Sequence, residues 1–135
     1  LMKNDIKKVN IRLFGRVVHG KGRGKSLGFP TANILLQNFE HEKGVYACLV
    51  NIKNEAEPCN KIRAITNIGT QPSLPSGKLF AEAFLFGFCD DIYEKELQID
   101  CLYFIRPEIK FASIDELKKQ ISSDIALANE LLNEA

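Results

Sequence analysis

The sequence predicts a mainly β domain, an antiparallel barrel or sandwich carrying one C-terminal helix. Three observations support this. Six short runs rich in β-branched, aromatic or alternating apolar residues fill the first two-thirds of the chain. Clusters of turn-forming residues separate them at the spacing of antiparallel neighbours. After residue 112 the apolar period changes to three or four, the signature of an amphipathic helix.

The predicted strands are 11–19, 34–36, 45–52, 62–69, 79–86 and 96–105. The turns between them are a glycine-rich stretch and the segments 38–44, 54–60, 71–77 and 89–94. Ile114, Leu117, Ile121, Ile125, Ala128 and Leu132 then form one apolar stripe, read as core beneath a helical lid on the barrel. Lys118, Lys119, Ser122, Ser123 and Glu130 occupy the other side, and Ser113 with Glu116 fits a capping box. There is no internal repeat, low-complexity tract or linker, so residues 1–135 read as a single domain.

A chain of 135 residues, 45% hydrophobic, can bury one real core. With 18 basic and 17 acidic residues the net charge is +1, which argues against a nucleic-acid binder that works by overall charge. No run approaches the ~18 apolar residues of a membrane span, and the N-terminus has no apolar signal region. Of the four cysteines, Cys48 and Cys101 lie in apolar strand runs and Cys59 and Cys89 in turns, with no C-x-x-C pair. Buried, reduced thiols in a cytoplasmic protein fit this better than a disulfide framework or a zinc site.

Residues 19–33 read HGKGRGKSLGFPTAN. Gly24-Lys25-Ser26 matches the end of a Walker loop, but His19 stands where its first glycine belongs. Gly28 and Pro30 also prevent the helix on which such a loop depends. What remains still suits anions. Gly20, Gly22 and Gly24 allow close approach of backbone amides, and Lys21, Arg23 and Lys25 add positive charge. A basic hairpin tip is the plainer alternative.

Thr31 and Asn33 follow at the entrance to a strand and point to one side of it. Their hydroxyl and amide oxygens form a hard-oxygen platform suited to magnesium beside phosphates; on their own they would read as turn-stabilising groups. In the run LFAEAFLF, Glu82 shares a face with Phe80, Phe84 and Phe86. It is either a base made more basic by desolvation, or the partner of Lys78, Arg63 or Arg106.

These segments occur in a telling order. HGKGRGKSLGFPTAN is followed by Gly44-Val45-Tyr46, then Asn67-Ile68-Gly69-Thr70-Gln71-Pro72, Glu82, Asp91-Ile92-Tyr93, and residues 105–111, IRPEIKF. The chain resembles the riboflavin kinases, and in particular the kinase module of bacterial bifunctional riboflavin kinase/FMN adenylyltransferase. The resemblance implies a six-stranded antiparallel Greek-key barrel with a C-terminal α-helix packed beside it. It implies ATP-dependent phosphorylation of the riboflavin ribityl 5′-hydroxyl, giving FMN and ADP. On that reading Gly20, Gly22 and Gly24, with Lys21 or Lys25, cover the nucleotide phosphates, and Tyr93 lies near the nucleotide. Thr31 and Asn33 hold Mg2+, Glu82 takes the hydroxyl proton, and Arg106 and Phe111 help form the flavin side.

The resemblance also marks departures. Lys25 stands where arginine is common, Ser73 where threonine is frequent, and Glu94 where a glycine often follows the tyrosine. Only about a dozen residues precede the first predicted strand and no second nucleotide motif occurs, so FAD synthesis is not expected. The partners expected are riboflavin/FMN and ATP/ADP, with no nucleic acid or membrane. The protein is expected to be a monomer or the kinase part of a larger bifunctional protein. Competing readings are a flavin- or nucleotide-binding module without turnover, and a small barrel that binds single-stranded nucleic acid.

Overall fold

The computed structural model describes residues 6–18, 31–53, 60–70, 77–87, 92 and 94–133. Six strands, β1 (Lys7–Val18), β2 (Thr31–Leu36), β3 (Gly44–Ile52), β4 (Ile62–Gly69), β5 (Leu79–Leu85) and β6 (Glu96–Arg106), precede a helix, α1 (Ile114–Asn133). The strands close into a barrel in the order β1-β2-β5-β4-β3-β6, every neighbouring pair antiparallel. Strands β3, β4 and β5 form a meander and β6 returns to lie beside β3. The spatial order 6-3-4-5 is a Greek key.

Alternation along the strands separates two cores. The side chains of Ile34, Tyr46, Cys48, Val50, Ile68, Ala81, Ala83, Ile99 and Cys101 fill the barrel interior. Val45, Ala47, Ile65, Phe84, Tyr103 and Ile105 face outward and pack against Ile121, Ala128, Leu131 and Leu132 of α1. The first half of β3 is therefore buried on both faces. Small residues at Ala32, Ala64, Ala81 and Ala83 leave interior room for Tyr46, whose ring meets Phe104 edge-on at 5.1 Å. Cys48 and Cys101 are opposite each other in register as free thiols, Sγ to Sγ 3.4 Å. Cys59 and Cys89 lie outside the described residues.

Four differences from the sequence reading have physical causes. Strand β1 begins at Lys7 rather than residue 11, because Lys7 and Lys8 pair with Phe104 and Tyr103 across a register shift. These lysines are exposed, so backbone pairing and not burial brings them into the strand. Helix α1 lies on the outer wall over β3, β4 and β6 rather than across a barrel mouth as a lid, since the residues it covers all point outward. Ile114 is 61% exposed and outside the stripe, whereas Leu131 and Asp124 are buried within it. The capping box forms: the Glu116 amide donates to Ser113 Oγ, while the Glu116 carboxylate reaches back to the amide of Ala112 rather than that of Ser113.

Gly44 shows what closure of the barrel demands. It has φ 148°, and a Cβ there would collide with the carbonyl oxygen of Arg106, so β3 begins hard against the end of β6.

Candidate active site

Registered partners in an antiparallel pair project to the same face. On the outer wall Asn33 of β2 is opposite Glu82 of β5, Glu82 is opposite Asn67 of β4, and Asn67 is opposite Val45 of β3. Val45 is in turn opposite Arg106 of β6, just beyond a register shift. The shift re-aims the end of β6, placing Ile105 in the outer core and Arg106 against α1. One lateral row thus joins Asn33, Glu82, Asn67 and Arg106. Thr31 lies one outward position from Asn33, opposite Phe84.

Asn33 is 93% buried, and its Oδ1 has no hydrogen-bond partner among the described residues. A buried amide oxygen left unpaired costs about 1–3 kcal/mol, so a water or ion that completed it would be favoured there. Next to a threonine hydroxyl and opposite a carboxylate, it fits a hard divalent cation that shares oxygens with phosphate. Among the described residues no group of three or more His, Cys, Asp or Glu side chains could hold a metal.

Glu82 is half-buried on a face with Phe80, Phe84 and Phe86, as the alternation required. Of the cations weighed as its partners, Arg63 bonds Asn129 of α1 and Arg106 bonds Asp124. The Glu108 carboxylate occupies the space over Gly69 where a side chain would otherwise stand, one outward position beyond Asn67.

Arg106 is held firmly. Its Nε donates to both Asp124 oxygens at 3.1 Å, Nη2 donates at 2.7 Å, and Nη1 donates to the Pro107 carbonyl. Gln120 donates to the same carboxylate, and the Phe111 ring lies 5.9 Å from the guanidinium carbon. Arg106 and Phe111 are therefore brought together. The Arg106 side chain is only 8% exposed, so it is a structural anchor before it is a surface donor. Asp124 escaped the sequence reading, although a signal was there: an acid three residues after Ile121 and four before Ala128 lies on the apolar stripe and requires a buried cation.

Gly20, Lys21, Gly22, Gly24, Lys25 and Tyr93 lie outside the described residues. Glu94, next to Tyr93, has φ 67°; its amide donates to the Val17 carbonyl and its own carbonyl accepts from Arg16 at 2.6 Å.

A groove of about 1070 Å3 lies elsewhere, on the outer face of β1, β6 and β3, lined by Phe14, Arg16, Lys53, Lys61 and Glu96 among others. It contains none of the residues of the Asn33–Arg106 row. Its Arg16 and Lys53 both pair with Glu96, which offsets much of its positive charge. The chemistry of the row, and not the size of this groove, locates the candidate site. No helix among the described residues is long and apolar enough to cross a membrane.

Comparison with known proteins gives a family match over residues 7–132 to riboflavin kinase (Flavokinase). The bifunctional riboflavin kinase/FMN adenylyltransferase of Haemophilus influenzae is 40% identical over 123 residues, covering 90% of this chain and 39% of that protein. The chain thus spans about two-fifths of the length of this relative. The Trypanosoma brucei riboflavin kinase structure has the same fold, with TM-score 0.63 and 24% identity over 94% of this chain and 83% of that one. A Streptococcus pneumoniae structure described as a macrolide-efflux protein superposes with TM-score 0.74 and 31% identity, over 90% of this chain and 39% of that one.

Proposed function

The chain belongs to the riboflavin kinase family, and from that premise we propose that it transfers the γ-phosphoryl group of ATP to the ribityl 5′-hydroxyl of riboflavin. The carrying observation is the pairing of Glu82 with Asn33, whose buried Oδ1 has no partner among the described residues. A carboxylate beside a hard-oxygen site is the arrangement this reaction needs. One group receives the proton of the attacking hydroxyl while the phosphates are held alongside.

Glu82 accepts the hydroxyl proton as the oxygen forms its bond to phosphorus and the bond from phosphorus to the ADP oxygen breaks. Burial among Phe80, Phe84 and Phe86 keeps water from competing for that position. Asn33 Oδ1 and Thr31 Oγ1 would hold Mg2+, which supplies neutralisation of charge on the phosphate oxygens. Phosphoryl transfer rests on alignment and charge compensation, so one base and one ion site on a rigid wall suffice. The phosphates would lie against Gly20, Gly22 and Gly24 with Lys21 or Lys25, and the nucleotide near Tyr93. Arg106, committed to Asp124, contributes by fixing residues 107–111, which carry Phe111 to the flavin side. The buried free thiols Cys48 and Cys101 fit a reducing, cytoplasmic setting.

Incubation with riboflavin, ATP and Mg2+, followed by chromatographic separation of flavins, tests this directly. FMN formation that requires both ATP and Mg2+ is expected. Riboflavin binding, seen by fluorescence quenching, without any FMN would replace the kinase with a flavin-binding module.

A further inference from the structure

We infer that Asn67 is a positioning residue for Glu82, an inference that rests on reading Glu82 as the base. Glu82 has a registered neighbour on each side, Asn33 on β2 and Asn67 on β4. Side chains opposed on one face of an antiparallel pair have Cβ atoms about 4.5–5.5 Å apart, a gap that a carboxylate and an amide bridge with one hydrogen bond. The oxygen of Asn33 faces the cation side. Asn67 is half-buried. Its other registered neighbour, Val45, offers no polar group. The next outward position on β4 is Gly69, whose space the Glu108 carboxylate fills. Strand β4 therefore presents one polar side chain directly against the base.

An amide suits that place chemically. A lysine or arginine would pair with the carboxylate and depress its affinity for a proton, while an acid would repel it. When substrate binds, Nδ2 of Asn67 comes to donate to one oxygen of the Glu82 carboxylate and holds the base toward the substrate hydroxyl. Hydrogen bonds of this kind are commonly long in ligand-free proteins and tighten when substrate binds. Among the described residues, the other charged groups on this wall are Arg63 of β4, bonded to Asn129, Arg106 of β6, bonded to Asp124 of α1, and Glu108. Strand β2 brings none.

Asn67→Val and Asn67→Thr test the assignment in the whole chain, since both suit a strand and have the same shape but only threonine keeps a donor. The valine variant is expected to lose roughly 10- to 100-fold in kcat, with the KM for riboflavin nearly unchanged. The threonine variant should recover most of the rate. In a Glu82→Gln background, Asn67→Val should change nothing further. Native kcat in Asn67→Val, loss confined to KM, equal loss in the Thr and Val variants, or an additive loss in the Glu82→Gln background would each overturn the inference. Glu82→Gln that makes FMN at the native rate would instead overturn the reading of the base, and this inference with it.

Discussion

At the residue scale, two side chains sit where their own preferences oppose them. Glu94 has φ 67°, where a β-carbon crowds the backbone, and it is held by the backbone bonds to Val17 and Arg16. Glycine keeps both bonds without the crowding. Glu94→Gly is expected to raise stability by about 0.5–1 kcal/mol, after glycine's extra unfolded-state entropy is subtracted, as read from the urea midpoint. Asn33 is the second case, because its buried oxygen has no partner among the described residues, a cost to the fold that the proposed ion site would offset. Asn33→Leu should stabilise the protein by about 1 kcal/mol in thermal unfolding while abolishing Mg2+-dependent FMN formation. A variant that was both less stable and fully active would contradict that reading. The misfit at Glu94 was legible through the family pattern, where glycine often stands. The burial of Asn33 was not, because it depends on which strands lie on either side of β2.

At the element scale, α1 is tied to the barrel by its apolar stripe and by one buried ion pair. The side chains of Arg106 and Asp124 are 8% and 2% exposed. Removing one partner leaves a buried charge without compensation, and Asp124→Ala is expected to cost about 3–5 kcal/mol. Because Arg106 leads into the segment carrying Phe111, the variant should also weaken riboflavin binding below its melting temperature, measured by flavin fluorescence. A variant with native stability would show that the apolar contacts alone hold the helix. The stripe was read well at Ile121, Ala128 and Leu132 and missed at Ile114, where the helix starts before it reaches the wall. Periodicity reports which side of a helix is apolar. It says nothing of where along its length the partner surface begins, and it passes over a buried charge such as Asp124.

At the scale of the whole molecule, alternation in short strands was enough to specify six strands and their approximate limits, because one face of nearly every strand is packed inside the barrel. Pairing order was not legible from alternation. The neighbours β2 and β5, or β1 and β6, are distant in sequence, and only the family resemblance implied a Greek key. The site follows the same division. Thr31, Asn33 and Glu82 stood out by residue type and spacing, whereas the part proposed for Asn67 emerges only once β4 lies against β5.

The packed interior also sets an alkaline limit. Burial raises the Tyr46 hydroxyl from 10.0 to about 12, and the hydrogen bond with Cys48, followed by burial, raises the Cys101 thiol far above its ordinary 9.0. Both groups keep their protons in the fold after the unfolded chain has lost them. Their contribution to stability is therefore complete below about pH 9 and declines as pH rises past it. The thermal midpoint should fall steadily between roughly pH 9 and 12, and Cys101→Ala should flatten the first part of that fall. A midpoint constant to pH 11 would show that these groups ionise in the fold as they do outside it.

The barrel wall is proposed to act by holding a carboxylate beside an ion site, and Glu82→Gln tests that claim most directly. Single-turnover FMN formation would be followed with the native chain and the variant at saturating ATP, Mg2+ and riboflavin. The predicted result is a loss of roughly 10²–10⁴ in rate with riboflavin affinity preserved. Equal rates in the two proteins would contradict the account and remove Glu82 from the reaction.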